Sequence, residues 1–414
     1  LAEHALKGEA WSQAYAYAVR AGRRASSRWA WREAIALLEQ AIDALAHLPD
    51  TPETVDRAIE VRLDLRVALA AVEDFPRIGQ CLIEARDLAA SAGNDLRLAQ
   101  VDTSRCISLS LLGELDEAVK SGRHAVAAAG RFNDPASLLN AVFELGQAHW
   151  YRGEITEAER VLLQELPRVR GSLRLQRTGT TGTASVLHLV CLSKTYALGG
   201  NADAAAAYAA DAVEIAEETR RPYDLAYARV AEGFHHYMLG DHDSAVAAFE
   251  IGLDVSRSSG IALLVSSIAR YLGRSYAVVG RREDAHDLLA EALEQSATHG
   301  LVAFRAWCEV GLAHAHLPDV AVSLPLFEGA LALARRHGYR PVEVHAAHML
   351  GLLCPRDSHY ERATAAEWLR QSLRLSEHLG LRPHAALVRY DLAELLGEAG
   401  SIAGSNAIAG RAAV

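Results

Sequence analysis

A pattern of small residues recurs about every forty residues along almost the whole chain. Repeats of this length fold as pairs of antiparallel helices, and each pair buries its faces against the neighbouring pairs. Ten copies exceed the ~3 that such an array needs for stability. The pattern therefore predicts one continuous stack of helix pairs. The first small position of each unit, or its equivalent, falls at Gly22, Arg66, Cys106, Gly146, Ser193, Gly233, Gly273, Gly311, Gly351 and Ala393.

The residue types within one copy have a physical explanation. In the copy that starts at Gly273, the glycine lets the first helix (helix A) approach the second (helix B), and Ala285 is the matching small residue on helix B. Gly280 lies between them and suits the left-handed conformation that often ends a helix. A proline that opens a helix loses no hydrogen bond there. Prolines open helix A at Pro135, Pro222, Pro341 and Pro383.

This spacing resembles the tetratricopeptide repeat, with helices longer than those of its usual ~34-residue unit. HEAT repeats share the length but not the paired columns of small residues. The resemblance implies an all-α fold, a right-handed α-solenoid of about ten helix-turn-helix repeats, with a concave face lined mostly by the A helices. Most steps are near 40 residues, and the step from Gly146 to Ser193 carries a seven-residue insertion.

We expect five segments along the chain. Residues 1–8 are predicted to end an upstream helix, and residues 9–167 to form the first four repeat units. Residues 168–183 are predicted to be an inserted loop rich in Arg, Gly and Thr. Units five to ten are expected at 184–399, followed by a capping or frayed helix at 400–414.

The first fifty residues carry a more particular resemblance. LAEHALKGEAWSQAYAYAVRAG, followed by REAIALLEQAIDALAHLPDTPE, is similar to the start of the tetratricopeptide region in large bacterial signalling proteins. Those proteins combine a class III adenylate/guanylate cyclase, an AAA-like (STAND-type) ATPase and a helical-repeat tail. The resemblance implies a sensor or scaffold module that regulates an attached ATPase and cyclase. Large ATP-dependent transcriptional activators have a related arrangement and offer the alternative of an effector-sensing tail.

Charge and hydropathy argue against several classes of protein. The net charge of −10 at pH 7 argues against a general nucleic-acid binder. No apolar run approaches the ~20 residues of a membrane span, and no signal-peptide pattern is present. The five cysteines lie more than 20 residues apart, which is typical of reduced thiols buried in helices. We therefore expect a cytoplasmic protein that acts without a membrane.

The sequence carries no catalytic machinery of its own. It contains neither the metal-binding aspartates of a cyclase nor a Walker motif, so the resemblance assigns no catalytic residue here. The stretch from Arg177 to Thr183 lacks the G-K-[S/T] ending of a phosphate loop and indicates a flexible part of the insertion. The histidines lack the spacing of a metal site, so we expect neither metal nor cofactor. A stand-alone enzyme built on a solenoid is the less favoured alternative.

The predicted concave face carries the main candidate binding site. In the tetratricopeptide family, ligand contacts come from positions 2, 5, 9 and 12 of helix A, counting the small residue as 8. These positions hold an aromatic and a basic patch, which favours a peptide with acidic and apolar side chains. The aromatic patch is Phe143, Trp150, Tyr227, Phe234 and Tyr237, and the basic patch is Lys194, Arg270, Arg274, Arg305, His345 and His348.

Alternatives stay open for these residues. Phe143 and Phe234 are equally compatible with inter-helix core, because aromatic residues at helical spacing usually pack. The arginines are equally compatible with ion pairs to acids on helix B of the next unit. The insertion is a second candidate contact, for an acidic partner or for upstream domains of the same protein, against the alternative of a solvated loop. Its basic residues are Arg168, Arg170, Arg174 and Arg177.

Overall fold

The structure is a computed structural model that describes residues 4–5, 8–178, 180–354 and 362–397. The predicted segment 400–414 and most of 1–8 lie outside these ranges. Within them, no helix is long and apolar enough to cross a membrane. The nineteen helices of the described residues are α1 (Trp11–Ser27), α2 (Trp31–Leu45), α3 (Pro52–Ala71), α4 (Phe75–Ser91), α5 (Asp95–Leu112), α6 (Leu115–Arg131), α7 (Pro135–Arg152), α8 (Ile155–Arg170), α9 (Ala184–Gly199), α10 (Ala202–Thr219), α11 (Pro222–Leu239), α12 (His242–Ser258), α13 (Ala262–Val278), α14 (Arg282–Thr298), α15 (Val302–Ala315), α16 (Val320–His337), α17 (Arg340–Leu353), α18 (Arg362–Leu379) and α19 (Arg382–Leu396).

Successive helices pair as the repeat pattern predicts, so the all-α solenoid is confirmed. The odd-numbered helices α1 to α17 are A helices, and each packs against the even-numbered B helix that follows it. Helix α19 is the A helix of a tenth unit. Neighbouring A helices also contact each other, as in α5 with α7, α9 with α11 and α13 with α15. The A helices therefore form the inner layer of the solenoid, and the B helices form its outer layer.

The central A helices are buried on every side. Residues 141–151 of α7, 185–195 of α9 and 266–276 of α13 are all buried. A helix without an exposed face has to be covered all round. Here the B helices cover one side, neighbouring A helices cover two more, and the A helices of a distant turn cover the fourth. Side chains on that fourth side face the axis of the solenoid.

The small-residue column on helix A is a contact between the two helices of a unit, as the sequence predicts. A Cβ atom at Gly233 would lie 2.6 Å from the ring of Phe249, and one at Gly273 would lie 2.4 Å from Cγ of Leu289. A close-packed interior cannot absorb such distances without moving. Gly311 is the exception, because it faces Leu289 of the preceding unit at 2.8 Å instead of its own helix B.

Consecutive turns of the superhelix touch, so the A helices enclose a narrow central space, the lumen. Cα atoms approach within 8 Å across the axis between α3 and α13, α5 and α15, α7 and α17, and α9 and α19. Hydrogen bonds join the turns as well. The Tyr339 hydroxyl donates to the Ser110 carbonyl oxygen at 2.5 Å, and Arg382 Nε donates to that of Gly199 at 2.7 Å. The last units therefore close the lumen against the middle ones.

The end of the inserted loop is fixed by hydrogen bonds. Asp224 accepts from the backbone N–H of Thr183 at 2.7 Å, and from the hydroxyls of Thr183 at 2.5 Å and Thr219 at 2.9 Å. Gly182 packs so tightly that a Cβ atom there would lie 2.8 Å from the ring of Tyr223. Gly182 and Thr183 are therefore held against the start of α11, and the flexibility expected for the rest of Arg177–Thr183 stays a prediction.

Candidate binding site in the lumen

Two cavities lie in the lumen. The larger has a volume of about 300 Å³ and the smaller a volume of about 90 Å³. Each is lined by side chains from units far apart in the sequence, because the turns of the superhelix touch. The larger, here the aromatic cavity, is lined by residues that include Trp150, Phe234, Tyr237, Tyr271, Trp307 and His345. The smaller, here the cationic cavity, is lined by residues that include Arg66, Glu144, Tyr151, Lys194, Tyr227 and Arg270.

The aromatic cavity has apolar walls with a few polar atoms that lack partners. The ring of Phe234 packs edge-on against Trp150 and Tyr271, with centroids 6.1 Å and 5.1 Å apart. The indole N–H of Trp150, the hydroxyl of Tyr271 and Nε2 of His384 are buried without a hydrogen-bond partner. Buried polar atoms are nearly always paired, so these three atoms leave hydrogen-bonding capacity unused at the wall of the cavity.

Lys194 lies at the boundary between the two cavities. Its side chain is 3% exposed, and its ammonium group lies 3.9 Å from the ring centre of Trp150, a residue of the aromatic cavity. Burial, and then the charge of Arg270, lowers the pKa of Lys194 to about 7. No carboxylate in the described part of the chain forms an ion pair with it. A buried cation stabilised only by an aromatic face is costly until an anion binds beside it.

Arg270, on α13, also lines the cationic cavity and is 2% exposed. Its Nε donates to the Ser267 carbonyl oxygen at 3.1 Å, and its guanidinium stacks on Tyr271 and Phe304. One terminal nitrogen has no hydrogen-bond partner, and within the described ranges no carboxylate pairs with this arginine. The planar guanidinium group presents its donors in the geometry that suits a carboxylate or phosphate.

The cationic cavity has too little negative charge to balance its cations. Glu144 is the one carboxylic acid among the described residues that line it. Burial raises the pKa of Glu144 to about 8, although Arg66 opposes this shift. At neutral pH, Glu144 is therefore mostly protonated, whereas Arg66 and Arg270 bring guanidinium groups, which carry a positive charge in proteins. The cavity is consequently positive in the ligand-free protein.

Of the ten predicted concave residues other than Phe143, the structure brings eight to the lumen. Phe143 and Phe234 are tightly packed and line a cavity as well, so the two alternatives considered for them are compatible. Arg274 lies over the ring of Tyr237 at 5.3 Å. The lumen residues are Trp150, Phe234, Tyr237, Arg274 and His345 at the aromatic cavity, and Lys194, Tyr227 and Arg270 at the cationic cavity.

Arg305 does not belong to this site, contrary to the expectation from the repeat frame. Its side chain is exposed, and its Nε donates to Glu309 on the same helix at 2.9 Å. The reason is the orientation of α15, which presents Gly311 to the preceding unit. Phe304 and Trp307 line the cavities instead. Phe304 and Trp307 each lie one residue before a position that the frame predicts to face inward. A shift of one residue corresponds to a helix rotation of ~100°.

His348 is also absent from the walls of both cavities. It is fully buried, and its Nε2 hydrogen-bonds to Asp391 of α19 at 2.8 Å. This bond joins the ninth and tenth units. We therefore assign His348 to the packing between units rather than to the ligand site.

Arg168 and Arg170 lie in the last turn of α8 rather than in the inserted loop, and all four arginines predicted there are already engaged within the protein. Helices α8 and α10 supply acids that were not considered from the loop sequence alone. These bonds leave the loop less available to an acidic partner than its composition indicates. The partners are Glu165 for Arg168, Asp211 for Arg170, Glu214 and Glu218 for Arg174, and the Thr180 carbonyl oxygen for Arg177.

Two histidines form a neutral contact beside the aromatic cavity. The Nε2 atoms of His314 and His345 lie 3.0 Å apart, so one ring donates and the other accepts. Burial, followed by the charge of Arg274, lowers the pKa of both well below the ordinary value. No group of three or more His, Cys, Asp or Glu residues in the described ranges is arranged to hold a metal ion.

Sequence analysis missed most of the residues that line the cavities, and five charged or aromatic ones illustrate why. Arg66 occupies the position where its unit should have a small residue, and this misfit was a usable signal for an unusual environment. The others lie beside, not at, the four inward positions of the frame, because these A helices are buried over a wider face than the frame assumes. The five are Arg66, Glu144, Tyr151, Tyr271 and Trp307.

No family model and no curated protein matches the chain. Among solved structures, it is similar to a Rap protein complexed with competence and sporulation factor, with 14% identity and a TM-score of 0.58 over 94% of this chain and 99% of that one. The Rap conjugation gene regulator of plasmid pLS20, in complex with the Phr* peptide, has 18% identity and a TM-score of 0.56 over 69% and 74%. A STAND protein with a tetratricopeptide repeat sensor from Pyrococcus horikoshii has 14% identity and a TM-score of 0.48 over 85% and 53%.

These likenesses establish the fold, a solenoid of tetratricopeptide-like helical repeats. Identities of 14% and 18% are too low to carry a function from one chain to another. The predicted link to a nucleotide cyclase has no support among these structures and stays a prediction.

Proposed function

We propose that this chain is a non-catalytic sensor module that binds a peptide or small ligand with acidic and apolar groups in its lumen. The observation that carries the proposal is the pair of buried cations, Lys194 and Arg270, which lie beside cavities and lack a carboxylate partner within the described residues. Leaving such charges unpaired costs stability, so a protein that keeps them gains something else from them. A ligand with an anionic group supplies the missing charge.

The ligand contacts that we propose are divided between the two cavities. Trp150, Phe234, Tyr237 and His345 provide amphipathic contact area in the aromatic cavity, and unpartnered polar atoms there orient the ligand. Lys194, Tyr227, Arg270 and Arg274 provide the polar and cationic contacts. The narrow lumen favours a peptide or a small molecule over a folded protein. The two similar Rap structures were solved with a factor or peptide bound, which agrees with this choice.

Ligand occupancy is proposed to act on effector domains attached to this module. The resemblance of the first fifty residues favours an ATPase and cyclase of the same polypeptide, and an ATP-dependent transcriptional activator is the alternative. The genomic sequence around the coding region distinguishes them, because a cyclase and a DNA-binding head have different motifs. We also propose a cytoplasmic location and the division into segments 1–8, 9–167, 168–183, 184–399 and 400–414.

A blocking variant tests the proposal. Ala386 is exposed on α19 and lines the aromatic cavity, so Ala386→Trp fills the cavity without removing any packing. The matched control is Ala207→Trp on the outer face of α10. Short acidic peptides that contain an aromatic residue, and the same peptides with Asn and Gln in place of Asp and Glu, are added in a thermal-shift assay.

The acidic peptides are expected to raise the melting temperature of the wild type and of Ala207→Trp, because a ligand that binds only the folded state stabilises it. Ala386→Trp should lose the effect. Equal shifts in Ala386→Trp and in the wild type would contradict binding in the lumen.

A further inference from the structure

We propose that the cationic cavity is a pocket for one compact oxyanion, a carboxylate or phosphate group, held between the Lys194 ammonium and the Arg270 guanidinium. This inference deepens the proposed function and rests on it, because it assigns the charged end of the ligand to a particular place in the lumen. The aromatic cavity then receives the remainder of the ligand.

Charge balance is the first argument for the pocket. Arg66, Lys194 and Arg270 reach the same cavity from α3, α9 and α13. The Glu144 carboxyl beside them is mostly protonated at neutral pH, since burial raises its pKa to about 8. One bound anion would offset the cationic excess. The anion would also favour the charged form of Lys194, because burial and the charge of Arg270 otherwise lower the pKa of its ammonium group.

Free hydrogen-bonding capacity is the second argument. Arg270 is 2% exposed, and one of its terminal nitrogens has no partner. The rings of Tyr271 and Phe304 lie beside its guanidinium, with centroids 4.5 Å and 4.6 Å from Cζ. A guanidinium next to aromatic rings keeps the donors in its plane for an oxygen atom. Lys194 is held against Trp150 in a similar way, so its remaining donors are directed away from the ring.

Size and position are the third argument. A volume of about 90 Å³ holds a group of a few heavy atoms and no long side chain. Lys194 lines the cationic cavity, while Trp150, which it contacts, lines the aromatic one. An anionic group at Lys194 therefore lies next to the space for an apolar group. A free oxyanion and the charged end of a larger ligand present the same chemistry, and the experiment separates them.

Three probes are titrated into the whole chain by calorimetry. They are inorganic phosphate, 3-phenylpropanoate, and its neutral amide, 3-phenylpropanamide. Binding of phosphate identifies a site for a free oxyanion. Binding of the carboxylate without binding of phosphate or of the amide identifies the pocket as the anchor of a larger ligand. Either result supports the proposal.

Two variants locate the anion. Arg270→Gln should weaken binding by at least about thirty-fold, the effect typical of removing a desolvated charge partner. Arg305→Gln is the matched control, because Arg305 is exposed and lies outside both cavities, and its affinity should equal that of the wild type. Circular dichroism checks that each variant folds. If Arg270→Gln does not fold, Lys194→Gln carries the same test.

Three outcomes overturn the proposal. These are equal binding of the amide and the carboxylate, unchanged anion affinity in the Arg270 or Lys194 variant, and no binding of either anion at millimolar concentration. Failure of the oxyanion pocket can be distinguished from failure of the proposed function. If acidic peptides still stabilise the wild type but not Ala386→Trp, while anion binding fails, the lumen site stands and only the oxyanion pocket is lost.

Discussion

Buried charged residues have different partners in two regions of the molecule. One region is the wall of the solenoid, which the packed helix pairs form, and the other is the lumen. In the wall, Asp224 is fully buried and accepts three hydrogen bonds from Thr183 and Thr219. In the lumen, Lys194 and Arg270 are almost as deeply buried but have no carboxylate partner in the described residues. Asp224 is thus hydrogen-bonded as buried charged groups usually are, whereas the two lumen cations lack the anionic partner that the proposed ligand would supply.

This difference separates residues that stabilise the fold from residues that serve binding. Removing a satisfied buried charge leaves its partners unpaired and destabilises the protein. Removing an unsatisfied buried charge eliminates a desolvation cost, so the free protein should gain stability while ligand affinity falls. The sign of the stability change therefore distinguishes the two regions in a way that burial alone does not.

The largest loss is expected for Asp224→Ala. The backbone N–H and hydroxyl of Thr183 and the hydroxyl of Thr219 lose their acceptor in a buried place. The free energy of unfolding should fall by roughly 3–5 kcal/mol, measured by urea denaturation. Asp211→Ala is the control, because Asp211 makes a partly exposed pair with Arg170, and it should cost no more than ~1 kcal/mol. Equal losses in the two variants would show that the wall is not distinguished by its hydrogen bonds.

The opposite sign is expected for Lys194→Met. This substitution replaces an unpaired buried cation by an apolar side chain of similar length, so the free protein should become about 1–4 kcal/mol more stable at neutral or lower pH. Lys120→Met is the matched control, since Lys120 is exposed and pairs with Glu117 on the surface. That variant should leave the free energy of unfolding close to that of the wild type, because water screens an exposed ion pair. If Lys194→Met is less stable than the wild type, Lys194 stabilises the fold in the same way as Asp224, and the contrast between the two regions is wrong.

The gain from Lys194→Met should also depend on pH. In the folded protein the pKa of Lys194 falls from 10.5 to about 7, mainly through burial and then through Arg270. Between about pH 7 and pH 10, the unfolded chain therefore binds more protons than the folded one, and wild-type stability rises with pH relative to the variant. The advantage of the variant should be complete below pH 7 and disappear near pH 10. A constant difference across this range would contradict a charged, buried lysine.

The packing of the wall is tested by Gly273→Leu. A side chain at this position meets Leu289 at once, because even a Cβ atom would lie 2.4 Å from Cγ of that residue. We expect a loss of ~1–3 kcal/mol, the usual cost of overpacking, measured by thermal and denaturant unfolding. Gly130→Ala is the control, because a Cβ atom there meets nothing within 4 Å. It should be neutral or slightly stabilising, since alanine favours helix. Unchanged unfolding of Gly273→Leu would mean that the two helices are not in contact there.

The regular part of the repeat explains why most of the fold could be predicted. Gly233 and Gly273 each require a small residue for the same local reason, and the A-helix frame then places Phe234 and Arg270 toward the axis. Both facts depend only on helix geometry within one unit. The sequence therefore predicted the helix pairs, and most of the concave residues that it predicted do reach the lumen.

The remainder of the site depends on how the units stack. Arg66 meets Arg270 because the turns of the superhelix touch, and small rotations between successive units add up to that closure. The residues of a single repeat unit do not determine this accumulated rotation, so the closure could not be predicted from the repeat pattern. A local deviation has the same effect, since the different orientation of α15 replaces Arg305 by Phe304 and Trp307. These contacts become visible only in the three-dimensional structure.

The smallest effect is expected at the inserted loop, whose arginines lie at the outer surface. Arg170 pairs with Asp211 at 2.6 Å and Arg174 with Glu218 at 2.5 Å, and all four side chains are substantially exposed. Exposed pairs are screened by water and salt and contribute ~0–1 kcal/mol each. Arg170→Ala with Arg174→Ala should therefore reduce the free energy of unfolding only slightly, and less at high salt. Affinity for the acidic peptides should not change, because neither arginine lines a cavity. A clear loss of peptide binding in this double variant, with full binding retained by Arg270→Gln, would move the recognition site from the lumen to the loop.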